Sequence, residues 1–192
     1  TSRISRKTEQ LACSVFAYYA PPEDLTVPEW AEKYRVLSRE NSAEAGPWRN
    51  RRTPYLIEPM RAFTDPAVRH ITVVASSQVG KSELELNIIG YIIDQDPSSI
   101  LYVQPTLDDA KKFSRQRVSP MIRDTPTLRR KVADVKSRDG GNTILQKQFP
   151  GGLISIVGSQ AASGLASLPA RYVIGDERDR WAVSAGTEGD PW

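Results

Sequence analysis

The residues Ala75-Ser76-Ser77-Gln78-Val79-Gly80-Lys81-Ser82 follow an apolar run, Ile71-Thr72-Val73-Val74-Ala75, and lead into a stretch with apolar residues at Leu84, Ile88 and Ile92. The run reads as a buried strand, and Lys81 to about Asp94 reads as a helix. A strand that turns into a helix through Gly-Lys-Ser matches the phosphate-binding loop GxxxxGK[ST], with Ala75 in place of the first glycine. At such a corner the amides of Val79, Gly80, Lys81 and Ser82 point at phosphate oxygens, backed by the positive end of the helix dipole. Gly80 permits close backbone approach, Lys81 supplies a point charge to the β- and γ-phosphates of ATP, and the Ser82 hydroxyl offers a ligand to Mg²⁺. Ser77 and Gln78 complete the cradle. Taken alone, the corner also fits an ordinary strand-to-helix turn.

A second motif separates these readings. Tyr172-Val173-Ile174-Gly175-Asp176-Glu177 is an apolar strand ending in two carboxylates, about 95 residues beyond Lys81. At such a strand tip the aspartate holds Mg²⁺ and the following glutamate polarises the attacking water as general base. Asp176 is therefore a metal ligand candidate, and Glu177 and Lys81 are catalytic candidates. Between the motifs, Ile100-Leu101-Tyr102-Val103 reads as another strand, the arrangement of ATPases that insert a strand between their two nucleotide motifs.

The rest of the chain supports an α/β fold of the P-loop NTPase type (ASCE or RecA-like), with a largely parallel sheet flanked by helices. Thr106-Leu107-Asp108-Asp109 offers an N-cap for a helix running to about Arg123, with an irregularity at Pro120. Thr143 to Phe149 and Leu153 to Val157 flank Pro150-Gly151-Gly152 as a hairpin. Residues 1–55 read as an N-terminal arm, with a short helix at Pro28 to Tyr34 and a turn at Gly46-Pro47, and residues 56–192 as the ATPase core.

Composition excludes several chemistries. One cysteine, Cys13, allows no intrachain disulfide, and one histidine, His70, allows no His-Cys zinc site and no Ser-His-Asp triad within the chain. Any metal must use oxygen ligands. The apolar stretches are far short of a membrane helix, so no membrane partner is expected. With 26 Lys+Arg against 23 Asp+Glu, the charge of +3 carries no nucleic-acid footprint by itself. Arg49, Arg51 and Arg52, and Arg129, Arg130 and Lys131, read either as phosphate contacts or as solvated faces.

Several blocks together resemble the ATPase domain of the phage terminase large subunit, lambda-like branch, over nearly the whole chain. They are Leu25 to Ala31, Gly46-Pro47-Trp48-Arg49, Pro54-Tyr55-Leu56, Leu101 to Thr106, Ser114 to Arg117, Pro120-Met121-Ile122, Gly158 to Leu165, the Asp176-Glu177 strand, and Glu188-Gly189-Asp190-Pro191. The resemblance implies an ATP-driven ring on the portal protein of a procapsid that translocates double-stranded DNA inward, with the terminase small subunit as partner, in the host cell cytoplasm. It also implies a separate C-terminal nuclease domain, so the chain reads as a fragment without nuclease activity of its own. Tyr55 resembles the aromatic that packs on adenine, and reads equally as a core aromatic. Gln78 stands where many relatives carry an arginine, and Ser163-Gly164 where many carry Arg-Gly. Arg171, Arg178 and Arg180 are left as candidates for an arginine finger or as surface residues. Two other readings stand beside the motor: a superfamily 2 helicase or translocase fragment, and a non-catalytic nucleotide-binding assembly module.

Overall fold

The computed structural model describes residues 23–42, 44–132, 143–161 and 169–184. Cys13, the Ser163-Gly164 pair and Glu188 to Pro191 lie outside them. The first helix, α1 (Val27–Tyr34), starts where Thr26 donates its backbone amide and its hydroxyl to the Glu29 carboxylate, at 2.8 and 2.6 Å. Its buried face carries Val27, Trp30 and Ala31. Two short strands follow, β1 (Val36–Leu37) and β2 (Gly46–Pro47), paired antiparallel, so the expected turn at Gly46-Pro47 is instead a bridge that folds the arm back on itself. Two 3₁₀ turns (Asn50–Arg52 and Pro54–Leu56) lead into α2 (Ile57–Thr64).

The second long element, α3 (Lys81–Asp94), is buried along most of its length and sits between α1, α2 and the sheet. Trp30 is fully buried against it, and a Cβ on Gly90 would lie 2.2 Å from the Trp30 ring, so only glycine lets the indole seat there. The Trp30 indole N–H donates to the Asp94 carboxylate at 2.8 Å. Lys131 pairs with the same carboxylate at 2.9 Å and the Gln95 amide donates to it at 2.9 Å, giving a buried acid three partners.

The central strand β3 (Ile100–Gln104) is buried at every position. It is followed by α4 (Leu107–Phe113), α5 (Ser119–Asp124) and α6 (Pro126–Lys131). Thr106 caps α4 by accepting from the Asp109 amide at 3.1 Å. The single helix expected from Thr106 to Arg123 is interrupted by a π-helical turn over Ser114–Val118. The cause is Pro120, which has no N–H to give the Gln116 carbonyl; the Asn41 side-chain amide donates to that carbonyl instead.

The hairpin forms as read, as β4 (Gln146–Phe149) and β5 (Gly152–Gly158), antiparallel with Phe149 opposite Gly152. Pro150 occupies the first central position and Gly151 the second, at φ 87°, the left-handed conformation that a type II turn requires. The last strand is β6 (Tyr172–Gly175). The sheet order is β4-β5-β3-β6, with β3 parallel to both neighbours, so the fold is mixed α/β with a mostly parallel sheet. One apolar cluster joins Trp30 and Trp48 of the arm to Met60, Ile89, Tyr102 and Ile154. A smaller one, Leu101, Val103 and Trp181, covers the opposite face of β3.

One expected strand is not formed. Ile71–Ala75 has no regular structure and joins no ladder among the described residues; Val73 is 42% and Val74 95% exposed. Apolar alternation becomes a strand only where a neighbour supplies hydrogen bonds and a surface to cover it. Among the described residues the sheet ends at β6, and this segment does not pair with the open edge of that strand.

Candidate functional site

The corner before α3 is built from two left-handed residues, Gln78 at φ 60° and Gly80 at φ 85°, with Gly80 as the N-cap. The Gly80 carbonyl accepts from the amides of Glu83 and Leu84 at 3.0 and 3.1 Å, which closes the first helical turn. A Cβ on Gly80 would meet Leu56 only at an ordinary 3.5 Å, so it is the φ angle, not crowding, that calls for glycine. Lys81 and Ser82 occupy the first two positions of α3, half-buried, where the helix dipole favours an anion. Ser77, Gln78 and Val79 form the preceding turn. Tyr55 stands beside it, 57% exposed, donating its hydroxyl to the Val79 carbonyl at 3.1 Å. That removes the core-aromatic reading of Tyr55.

The strand-tip carboxylates come to the same region. The Asp176 amide donates to the Val103 carbonyl at 3.0 Å, and the Trp181 indole donates to the Asp176 carbonyl at 2.7 Å, fixing the backbone on both sides. Burial pushes the Asp176 carboxyl up and the adjacent Glu177 charge adds to that, while the Gln104 hydrogen bond and the Lys81 charge oppose it. The Lys81 charge acts in the same sense on Glu85. The Lys81 charge thus bears on both Asp176 and Glu85. Glu177 is left-handed at φ 48° and its carboxylate is paired with Arg180. A cavity of about 250 Å³ opens beside these carboxylates, lined among others by Gln104, Asp176, Glu177, Lys112, Arg117 and Arg180.

Three residues here escaped the sequence reading: Glu85, Tyr102 and Gln104. Tyr102 donates to the Glu85 carboxylate at 2.6 Å, and the Gln104 amide donates to the Tyr102 oxygen at 3.2 Å and to Asp176 at 3.1 Å. Burial, with the Asp176 charge behind it, pushes the Glu85 carboxyl up to about 8. The signal in the sequence is a glutamate between Leu84 and Leu86 on a buried helix, and two polar groups two residues apart on a buried strand.

The other candidates are distributed elsewhere. Arg171 pairs with Asp96 at 2.9 Å at the opposite end of β6 from Asp176, and Arg178 lies over the Trp181 ring at 5.0 Å. In the basic clusters, Arg49 pairs with Glu32 and Arg52 with Glu44. His70 contacts the Thr72 hydroxyl at 3.0 Å.

With this geometry in place, comparison with known proteins gives one consistent neighbourhood. The family model described as phage terminase large subunit gpA, ATPase domain, matches residues 42–192. The chain is 27% identical over 171 residues to the terminase large subunit of Enterobacteria phage P21, covering 88% of this chain and 26% of that protein. It is 31% identical over 131 residues to the terminase large subunit of Escherichia phage lambda, covering 68% of this chain and 20% of that protein. The chain therefore spans about a quarter or less of the length of either relative. No solved structure matches it significantly.

Proposed function

Since this chain belongs to the phage terminase large subunit gpA ATPase-domain family, we propose that it is a P-loop ATPase whose hydrolysis of ATP drives double-stranded DNA into a procapsid. The reading is supported by a Gly80-Lys81-Ser82 corner at the N-terminus of α3 and an Asp176-Glu177 pair at the tip of β6, near enough for the Lys81 charge to bear on the Asp176 carboxyl. Membership of this family favours the packaging motor over the helicase and assembly-module readings.

In the proposed reaction, water attacks the γ-phosphorus in line, the bond to the β-phosphate bridging oxygen breaks, and ADP leaves. Glu177 accepts the proton of the attacking water. In this structure Glu177 is bound to Arg180, so the base becomes available when that contact opens. Lys81 neutralises charge on the transferring phosphoryl group, and the amides of residues 79–82 hold the phosphates. Ser77 and Gln78 line the turn, and Tyr55, exposed beside Val79, packs on the adenine in this reading.

A cation that arrives with the nucleotide suits the donor set. Among the described residues no group of three or more His, Cys, Asp or Glu forms a metal centre. Ser82 and Asp176 are two hard oxygen donors of the kind Mg²⁺ takes alongside phosphate oxygens and water. When bound, Mg²⁺ would neutralise developing charge on the β- and γ-phosphates. The proposed partners are DNA, the portal protein, the terminase small subunit and further copies of the chain in a ring, in the host cell cytoplasm. No helix among the described residues is long and apolar enough to cross a membrane.

The test is ATP turnover by this chain with and without double-stranded DNA, at rising protein concentration, beside Glu177→Ala. Turnover that rises with assembly and falls at least a hundredfold in the variant (roughly the loss of a general base), with nucleotide binding retained, supports the reading. Turnover indifferent to Glu177→Ala overturns the assignment of the base.

A further inference from the structure

The amide of Gln104 is held in one orientation by its surroundings. Its nitrogen carries two hydrogens; one goes to Asp176 Oδ2 at 3.1 Å and the other to the Tyr102 hydroxyl oxygen at 3.2 Å. The single Tyr102 hydroxyl hydrogen is given to Glu85 Oε2 at 2.6 Å. Donation therefore runs outward from Gln104 towards both carboxyl groups, and a flipped amide would set its carbonyl oxygen against the Asp176 carboxylate. The Tyr102 ring is fully buried and stacks on Phe113 with centroids 4.3 Å apart and planes 3° apart, so its hydroxyl oxygen is held in place between Glu85 and Gln104. Gln104 is itself buried, at 5% exposure, at the last position of β3.

The chain of bonds joins two elements that must agree in a nucleotide site. Glu85 lies one helical turn beyond Lys81 on α3, and Asp176 follows β6. Strand β3 lies between them and supplies both bridging side chains from alternate positions of one face. We propose that Gln104 is a positioning residue for Asp176, held in register by Tyr102 and Glu85, so that the phosphate-loop helix and the strand-tip carboxylate are aligned as one unit for the incoming Mg-nucleotide. This rests on the reading of Asp176 as the metal-holding carboxylate.

The readout is the ratio of ATP affinities measured by calorimetry with Mg²⁺ and with a chelator, in wild type, Gln104→Met, Tyr102→Phe, the double variant and Asp176→Asn. A packing role would not move this ratio. Misplacing a carboxylate that supports a metal ligand set reduces metal-dependent affinity roughly tenfold. Gln104→Met is expected to lower the ratio by about that factor while affinity in the chelator stays within roughly twofold. Tyr102→Phe, which keeps the stacked ring, lowers it in the same direction, and the double variant loses no more than Gln104→Met alone, as members of one chain of bonds do. If Gln104→Met fails to fold, Tyr102→Phe carries the test. An unchanged ratio in both variants, or strictly additive losses, overturns the inference when Asp176→Asn still collapses the ratio. A ratio indifferent to Asp176→Asn overturns the reading of Asp176 itself.

Discussion

At the scale of single residues, Glu85 makes the folded chain sensitive to pH. Its carboxyl stands at about 8 in the fold against an ordinary 4.5, because burial and the Asp176 charge both disfavour ionisation. The folded state holds a proton that the unfolded chain releases, so this stabilisation is full below about pH 4.5 and is lost as pH rises towards 8. The loss is of the order of 4 to 5 kcal/mol. In urea titrations without nucleotide or divalent cation, the wild-type midpoint should fall between pH 5 and pH 8 and the Glu85→Gln midpoint should fall much less; equal slopes would refute the assignment. This is also where the sequence was least legible. Lys81, Ser82, Asp176 and Glu177 stand out as candidates by spacing, since a strand-to-helix corner and a strand tip each follow a recognisable pattern of residue types. Glu85, Tyr102 and Gln104 do not, because their meaning depends on which helix face and which strand face turn towards one another. Tyr55 was ambiguous for a related reason: only the path of the turn through Pro54–Leu56 decides whether its ring enters the core.

At the scale of elements, the irregular helix after β3 depends on a residue from a distant loop. Asn41 donates to the Gln116 carbonyl that Pro120 leaves without a partner. Asn41→Ala should cost about 1 to 2 kcal/mol and lower the melting temperature by a few degrees; an unchanged melting curve would mean that solvent satisfies the carbonyl equally well. The contact of α1 with α3 gives a sharper case. Gly90→Ala places a methyl where the Trp30 ring lies, 2.2 Å from its nearest atom. The cost should be at least 1 to 3 kcal/mol, the usual price of overpacking a filled site, with a changed near-ultraviolet tryptophan signal; retention of both stability and signal would show that α1 can shift freely. Helices α1 and α3, the β4-β5 hairpin and strands β3 and β6 were readable because caps, turn residues and periodicity agree there. The Ile71–Ala75 segment was misread as a strand because periodicity reports what a segment would bury, and nothing in a single run of residues states whether a pairing edge is at hand.

At the scale of the whole molecule, α1 and the segment around Trp48 share one interior with α3. Val27, Trp30, Ala31 and Trp48 lie in the same apolar cluster as Met60, Ile89 and Ile93. Removing residues 1–48 uncovers that face of α3, and the shortened chain is expected to bind hydrophobic dye and to lose its cooperative unfolding transition. A soluble product with a sharp transition would make the arm a separable unit. The sheet has a corresponding asymmetry. Strand β3 is hydrogen-bonded on both sides, whereas β6, which leads into Asp176 and Glu177, is bonded only to β3 among the described residues. Amide hydrogen exchange should therefore be slow throughout β3 and markedly faster at the outward-facing amides of β6. The two carboxylates are thus mounted at the tip of an edge strand rather than a central one. An edge has protection to gain, and exchange slowing there on addition of nucleotide or at high protein concentration would locate where ligand binding or assembly stiffens the molecule.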